Sequence, residues 1–262
     1  MSNIPRLILA LGVLCATAAS ADVWDTQAGN DDDARTENEL VHGTVQAHDL
    51  GVRPGPVADQ DWFRIPIKPH ASYEVIVDGA AGDLHPGLTL ERLQVSGTST
   101  LVVQSSLPVV QGSSGFSRTL RWANATSSTI TDQRIRVAGA QCATACGPDD
   151  VYSLRVRETT VHIARFNQSG AMETSLFVQN VSDRSVVGTV FYWNASGGLI
   201  TSTPITLSPK TLILLDLVVF VPGQSGHITI AHNGGWGGLN AKTSTKEPPT
   251  GFSFDTQGVN LP

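Results

Sequence analysis

The sequence predicts an all-β protein of two tandem β-sandwich domains, jelly-roll or immunoglobulin-like, after a cleaved signal peptide. Apolar and polar residues alternate with a period of two in most windows, whereas an apolar stripe with helical spacing is absent from the mature chain. β-Branched residues are frequent, and clusters of Gly, Pro, Asn, Ser and Asp separate the alternating segments roughly every ten residues. Short strands separated by turns at this spacing are typical of β-sandwiches.

The first half of the chain contains several of these alternating segments. Phe63, Ile65 and Ile67 form one apolar series, and Tyr73, Val75 and Val77 form the next. The alternation returns at residues 120–122, 133–137 and 152–157. We therefore predict strands at these positions, each with one face towards a core.

The second half contains seven candidate strands, a common number for a sandwich. They lie at residues 161–166, 173–180, 186–194, 199–207, 210–219, 227–232 and 239–245. The run at residues 212–220 is apolar on both faces, so we expect it to form a central strand or one covered on its outer side. It is too short to cross a bilayer, which takes about 20 apolar residues.

The N-terminus has the features of a secretory signal peptide, residues 1–21. Arg6 supplies the positive charge, residues 7–15 are apolar, and residues 19–21 form a small-x-small cleavage site. A membrane anchor is disfavoured because the apolar run is short and polar sequence follows it. A lipoprotein would use Cys15, but Leu14 precedes it where a small residue is needed. We predict a secreted protein, extracellular or periplasmic, without a transmembrane segment.

The charge balance argues against a polyanionic partner. The precursor carries a net charge of −6, and removal of Arg6 leaves 16 basic against 23 acidic residues, a net charge of −7. An acidic chain repels nucleic acid, so we expect none among its partners.

Two cysteines remain after removal of the signal peptide, Cys142 and Cys146, in a turn-rich stretch between strands. In an oxidising compartment they would form a disulfide that closes a small loop. A metal site would need further ligands at suitable spacing, and only the distant His162 follows. A redox pair usually has two intervening residues rather than three.

The domain prediction follows from these patterns. A flexible acidic leader is assigned to residues 22–36, the first sandwich to residues 37–158, the second to residues 160–257 and a tail to residues 258–262. The boundary near Thr159 has almost no linker, so we expect a semi-rigid pair.

The first domain resembles the bacterial pre-peptidase C-terminal type of β-sandwich. The resemblance rests on Asp31-Asp32-Asp33 before Asn38-Glu39-Leu40, on the step at residues 59–64 (Asp-Gln-Asp-Trp-Phe-Arg), and on Ala71-Ser72-Tyr73-Glu74-Val75. Residues 163–256 are similar to a second β module that follows such domains in secreted bacterial proteins. The resemblance implies an accessory, adhesive or surface-exposed role, by analogy of fold alone.

Several catalytic motifs are absent from the sequence. Gly112-Ser-Ser-Gly115 is one residue too short for a Gly-x-Ser-x-Gly nucleophile elbow, and neither His-Glu-x-x-His nor a phosphate-binding glycine loop occurs. A catalytic triad assembled from residues distant in sequence is an alternative that motif spacing does not test. We predict a protein that is not an enzyme.

Acidic residues near the start of the first domain are candidate calcium ligands. They are Asp31, Asp32, Asp33, Asp49, Asp59 and Asp61. Calcium binds several carboxylate and carbonyl oxygens, and Asp59 and Asp61 would point to the same face of a strand. The alternative is a solvated leader followed by aspartates that cap turns.

The glycine-rich loop at residues 232–238 contains a second candidate contact, Trp236. An exposed tryptophan on such a loop can stack on a sugar ring, or it can fold back as a lid over the core.

The leading hypothesis is a structural or interaction protein that binds an unknown protein or glycan at the cell surface. The alternative is a pair of carbohydrate-binding modules that use loop aromatics such as Trp236.

Overall fold

The computed structural model describes residues 31–51, 59–80, 87–108, 116–139, 142, 146 and 150–260. Within these residues the protein is all-β, as predicted. The strands of the first half are β1 (Val45–Asp49), β2 (Gln60–Arg64), β3 (Ala71–Ala80), β4 (Leu88–Ser96), β5 (Ser99–Ser105), β6 (Leu107–Pro108), β7 (Phe116–Asn124), β8 (Gln133–Gly139) and β9 (Val151–Glu158). Those of the second half are β10 (Val161–Asn167), β11 (Glu173–Asn180), β12 (Val186–Asn194), β13 (Leu199–Leu207), β14 (Leu212–Asp216), β15 (Ser225–His232), β16 (Leu239–Glu247) and β17 (Phe252–Asn260).

The first-half strands form two antiparallel sheets that share one buried cluster. One sheet has the order β1-β9-β3-β7-β6, and the other has the order β2-β8-β4-β5. Alternate residues of β9 (Tyr152, Leu154 and Val156) are buried, and so are Ile135 and Val137 of β8. All five belong to the same hydrophobic cluster. The period-two alternation therefore marks the core face of each sheet, as the sequence predicted.

The second-half strands form one eight-stranded sheet of order β13-β12-β15-β10-β17-β16-β11-β14. Strand β17 joins its two parts, because residues 252–257 pair with β16 whereas residues 258–260 pair with β10. Side chains from both parts, among them Ile228 and Leu176, meet in one cluster, so the sheet is folded over on itself. A Cβ atom on Gly258 would lie 2.8 Å from the Ala241 carbonyl oxygen, which explains a glycine in this crowded segment.

Most predicted strands of the second half are confirmed, three of them to the residue: β11, β12 and β13. Strand β17 was not predicted, and residues 258–260, assigned to the tail, are part of it.

The prediction that the run at residues 212–220 forms a central or outwardly covered strand was wrong. Its strand, β14, lies at an edge of the sheet, where Leu212 and Leu214 are exposed while Ile213 and Leu215 pack against the core.

Cys142 and Cys146 lie side by side in the first core. Their Sγ atoms are 1.96 Å apart, at disulfide distance as predicted, and both residues are buried. Gly139 precedes them, and a Cβ atom there would lie 2.3 Å from the Cys142 Sγ atom. The pair therefore requires a glycine at the end of β8.

Part of the N-terminal prediction falls outside the described residues, namely the signal peptide and residues 22–30 of the leader. The end of the leader is packed: Asp31 is fully buried, and its carbonyl oxygen accepts a hydrogen bond of 2.6 Å from the Trp62 amide. No helix within the described ranges has the length and apolar content needed to cross a membrane.

The two hydrophobic clusters are joined at residues 158–160 by a short, buried connection. The Thr159 amide donates to the Ser72 carbonyl (2.8 Å), and the Ser72 amide donates to Thr160 Oγ1 (2.9 Å). Both threonines are buried, and both are bonded to the start of β3. The connection is therefore fixed to the first half, whereas the division into two independent domains stays a prediction.

Gly226→Ala tests the packing of β15 between β10 and β12. The added Cβ atom would lie 1.7 Å from the Trp193 carbonyl oxygen, a backbone atom within the β12–β15 pairing. We expect the free energy of unfolding in urea to fall by about 2 kcal/mol or more. The exposed neighbour Ser225→Ala is the control. Equal stability of the two variants would contradict the packing described here.

Candidate functional site

Trp236 lies at the junction of the two halves. Its backbone amide donates to Glu74 Oε2 at 3.1 Å. The Arg157 guanidinium lies 5.2 Å from the centre of the ring, a cation–π distance, and the His42 ring lies at 5.6 Å. All three partners belong to the first half, so the loop containing Trp236 folds onto the other half rather than over its own core.

The Glu74 carboxylate connects this loop to the sheet below it. Glu74 and Arg121 are cross-strand partners in β3 and β7, and Arg121 Nε donates to Glu74 Oε1 at 2.7 Å. The Glu74 side chain is buried. A Cβ atom on Gly235 would lie 2.9 Å from both Arg121 Nη2 and Glu74 Oε1, so a larger residue there would displace the ends of these two side chains.

A second contact joins the halves through aromatic rings. His70 has a positive φ of 53°, and its ring lies 4.5 Å from that of Phe191 and 5.3 Å from that of Trp193. The Trp193 indole also stacks against His227 at 6.0 Å. The turn before β3 thus packs its histidine against the aromatic surface of β12.

A cleft of about 410 Å³, here called the junction cleft, opens beside Trp236. Its lining comes from both halves and combines polar side chains with apolar surface. The first half supplies Gln104, Ser105 and Arg121, and the second half supplies Arg184 and Asn233. Amide, hydroxyl and guanidinium groups beside an indole can bind a ligand rich in hydroxyl or anionic oxygens.

His232 lies buried at the start of the same loop. Its Nδ1 atom accepts a hydrogen bond of 3.0 Å from the Gly234 amide. Burial lowers the pKa of His232 to about 4, opposed by a backbone contact with Thr159 and assisted by the positive charge of Arg121. The neutral imidazole is therefore the form that the folded junction accommodates.

Lowering the pH should destabilise the protein through His232. The unfolded histidine binds a proton below pH 6.5 whereas the folded one does so only near pH 4, so this stability is present above pH 6.5 and is lost as the pH falls towards 4. Between pH 7 and 4.5 the loss is on the order of 2 kcal/mol. We expect His232→Asn to lose less stability over this range in urea unfolding. Equal losses would show that His232 does not titrate in this way.

Trp236→Ala should weaken the junction. The substitution removes the ring that packs against His42 and Arg157, and we expect a loss of about 2 kcal/mol in the free energy of unfolding. The more exposed aromatic Phe252 provides the control, as Phe252→Ala. If Trp236→Ala is no more destabilising than the control, the ring is not a structural contact.

A buried group of three potential metal ligands lies in the first half. Asp31, His48 and Asp61 each offer one ligand atom, and these atoms lie within 4.8 Å of one another. All three residues are at most 2% exposed. The group could hold a metal ion. It is formed by the segment before β1, by β1 itself and by β2.

Neighbouring side chains fix the orientation of this group. His48 Nδ1 lies 3.3 Å from Asp31 Oδ2, and His48 Nε2 lies 3.1 Å from Gln46 Oε1. The Tyr152 hydroxyl donates a short hydrogen bond to Asp61 Oδ2. The His48 ring stacks on the Tyr152 ring at 5.6 Å.

Two of the predicted acidic residues belong to this group, and others bond to neighbouring backbone amides. Asp61 and Asp31 belong to the group, whereas Asp59 accepts from the Gln60 amide at 2.9 Å and Asp49 accepts from the Gly51 amide at 3.0 Å. His48 was missed, because its distance along the chain from Asp31 and Asp61 gives no metal-binding signature. The identity of the ion as calcium stays a prediction.

No protein-family model matches this chain, and no curated protein matches it. Among solved structures, the chain is similar to a calcium-binding mutant of β-glucuronidase 2 from Bacteroides uniformis, with 12% identity over 81% of this chain and 27% of that one. The crystal structure of Bacteroides uniformis β-glucuronidase matches with 13% identity over 78% and 26%. Both TM-scores are 0.19, and this chain spans about a quarter of their length. A likeness this distant does not indicate a function.

Proposed function

We propose that the protein is a secreted, non-enzymatic accessory or adhesive protein of two tandem β-sandwich domains, the first of the pre-peptidase C-terminal type. It binds a protein or glycan of the cell surface through the junction cleft. The observation that carries the proposal is the position of that cleft, which both halves line. It lies beside the Glu74 hydrogen bonds to Arg121 and to the Trp236 amide.

The fixed junction supports binding without a large rearrangement. The loop at residues 232–238 is fastened by the Glu74 hydrogen bond, and the connection at residues 158–160 is fastened to Ser72. A preorganised cleft loses little conformational entropy when it binds a ligand. The polar groups of its lining then determine which ligand fits.

The alternative function, carbohydrate binding, is favoured by the chemistry of the lining. Gln104 and Asn233 offer amides that can both donate to and accept from sugar hydroxyls, and Arg184 is exposed beside them. The Trp236 ring is half-buried, with Arg157 near one side. In this alternative the indole serves both the junction and the sugar.

Binding to intact cells of the producing organism tests both functions. Labelled full-length protein should bind to the cells, and Arg184→Glu should reduce the bound fraction at least fivefold because it reverses a charge in the cleft. The control is Arg35→Glu, which changes an exposed arginine elsewhere. Unchanged binding of Arg184→Glu would exclude the junction cleft as the binding surface.

Pretreatment of the cells distinguishes the two partners. Periodate oxidises sugar rings, so loss of binding after periodate alone would identify a glycan and favour the carbohydrate function. Loss of binding after protease alone would identify a protein partner. A wild-type protein that does not bind to the cells at all would contradict the proposed function.

A further inference from the structure

The Asp31 carboxylate lies buried at the start of the described chain. The residue is fully buried, and neither of its carboxylate oxygens takes part in a hydrogen bond within the described ranges. His48 Nδ1 lies 3.3 Å from its Oδ2 atom. A buried carboxylate is stable only if a proton, a cation or hydrogen-bond donors compensate for its lost hydration.

Gln46 determines which nitrogen of His48 faces Asp31. The Gln46 Oε1 atom accepts hydrogen bonds, so His48 Nε2 at 3.1 Å from it carries the proton. In the neutral imidazole, Nδ1 then presents its lone pair towards the Asp31 carboxylate. Metal-binding histidines in proteins usually have this arrangement, in which the second ring nitrogen donates to an oxygen and the first binds the ion.

Asp61 completes a convergent set of ligand atoms. The Tyr152 hydroxyl donates to its Oδ2, which orients the carboxylate as the outer partners of metal ligands commonly do. The three ligand atoms lie within 4.8 Å of one another. Bonds of about 2.0–2.2 Å around one ion place its ligands roughly 3.3 Å apart, so the ligand atoms need to approach one another by up to about 1.5 Å.

The ligand types select the ion. Calcium takes six to eight oxygen ligands, and an imidazole nitrogen is not among those it prefers. Imidazole together with carboxylate suits zinc and its first-row neighbours. We propose that Asp31, His48 and Asp61 bind a divalent transition-metal ion, represented by Zn²⁺, and that the ion fastens the segment before β1 to β1 and β2. This goes beyond the proposed function and is independent of the junction cleft.

Calorimetric titration of the full-length chain tests the site directly. The protein is prepared without a histidine tag, stripped with chelator and titrated at pH 7 with ZnCl₂, MnCl₂ or CaCl₂. We expect one equivalent of Zn²⁺ to bind, at least tenfold tighter than Ca²⁺, and to raise the melting temperature by mass action. His48→Gln and Asp61→Asn should each weaken Zn²⁺ binding at least tenfold.

Two matched variants are the controls. Asp59→Asn changes a buried aspartate outside the group, and His227→Gln changes a histidine of the second half; both should bind Zn²⁺ within twofold of wild type. Co²⁺ added to the wild-type protein provides a readout that needs no variant. A visible absorption band typical of nitrogen coordination should appear and should be abolished by competing Zn²⁺.

Three results would overturn the proposal. Absence of a tight equivalent of Zn²⁺ on the wild-type chain would leave Asp31 and His48 as a buried pair that holds no ion. Zn²⁺ binding that His48→Gln leaves unchanged would place the ion elsewhere. Tight binding of Ca²⁺ in preference to Zn²⁺ would assign an oxygen-only site.

Discussion

The arrangement of the two halves depends on one buried carboxylate, that of Glu74. One of its oxygens accepts from Arg121 on the neighbouring strand and the other accepts from the Trp236 amide of the second half. A buried carboxylate without such partners is strongly destabilising, so β3, β7 and the glycine-rich loop are held together by the same requirement. The cleft beside Trp236 exists because this requirement fixes the loop at a short distance from the sheet.

The sequence predicted the strands well where turn residues and alternation agreed. Strands β11, β12 and β13 match their predicted bounds because each has buried residues and a turn residue at its end. Strands β11 and β12 end at Asn180 and Asn194, and Ser208 follows β13. Strand β17 was missed, since none of its residues is fully buried and its few apolar residues do not alternate along its whole length. Strand β14 was predicted to be central because its residues are apolar on both faces. Its outward leucines are nevertheless exposed, since apolar character alone does not distinguish a central strand from an edge strand.

The candidate sites were predicted only in part, because they depend on contacts between distant residues. Trp236 was singled out for its glycine neighbours, but its partners Glu74 and Arg157 belong to the other half and no local pattern connects them. Asp61 was identified by its neighbourhood of aspartates. His48 joins it because β1 and β2 belong to the two sheets that face each other across the first core, and such a pairing of layers is not encoded in residue spacing.

The pairing of β10 has a consequence for the speed of folding. This strand opens the second half, yet both of its partners lie far along the chain, at residues 225–232 and 252–260. Contacts between residues so distant in sequence form slowly, because a long loop must close before any contact forms. The edges of β10 therefore remain unpaired during folding until β15 and β17 pair with them. The rate of that pairing determines how long the folding chain is prone to aggregation.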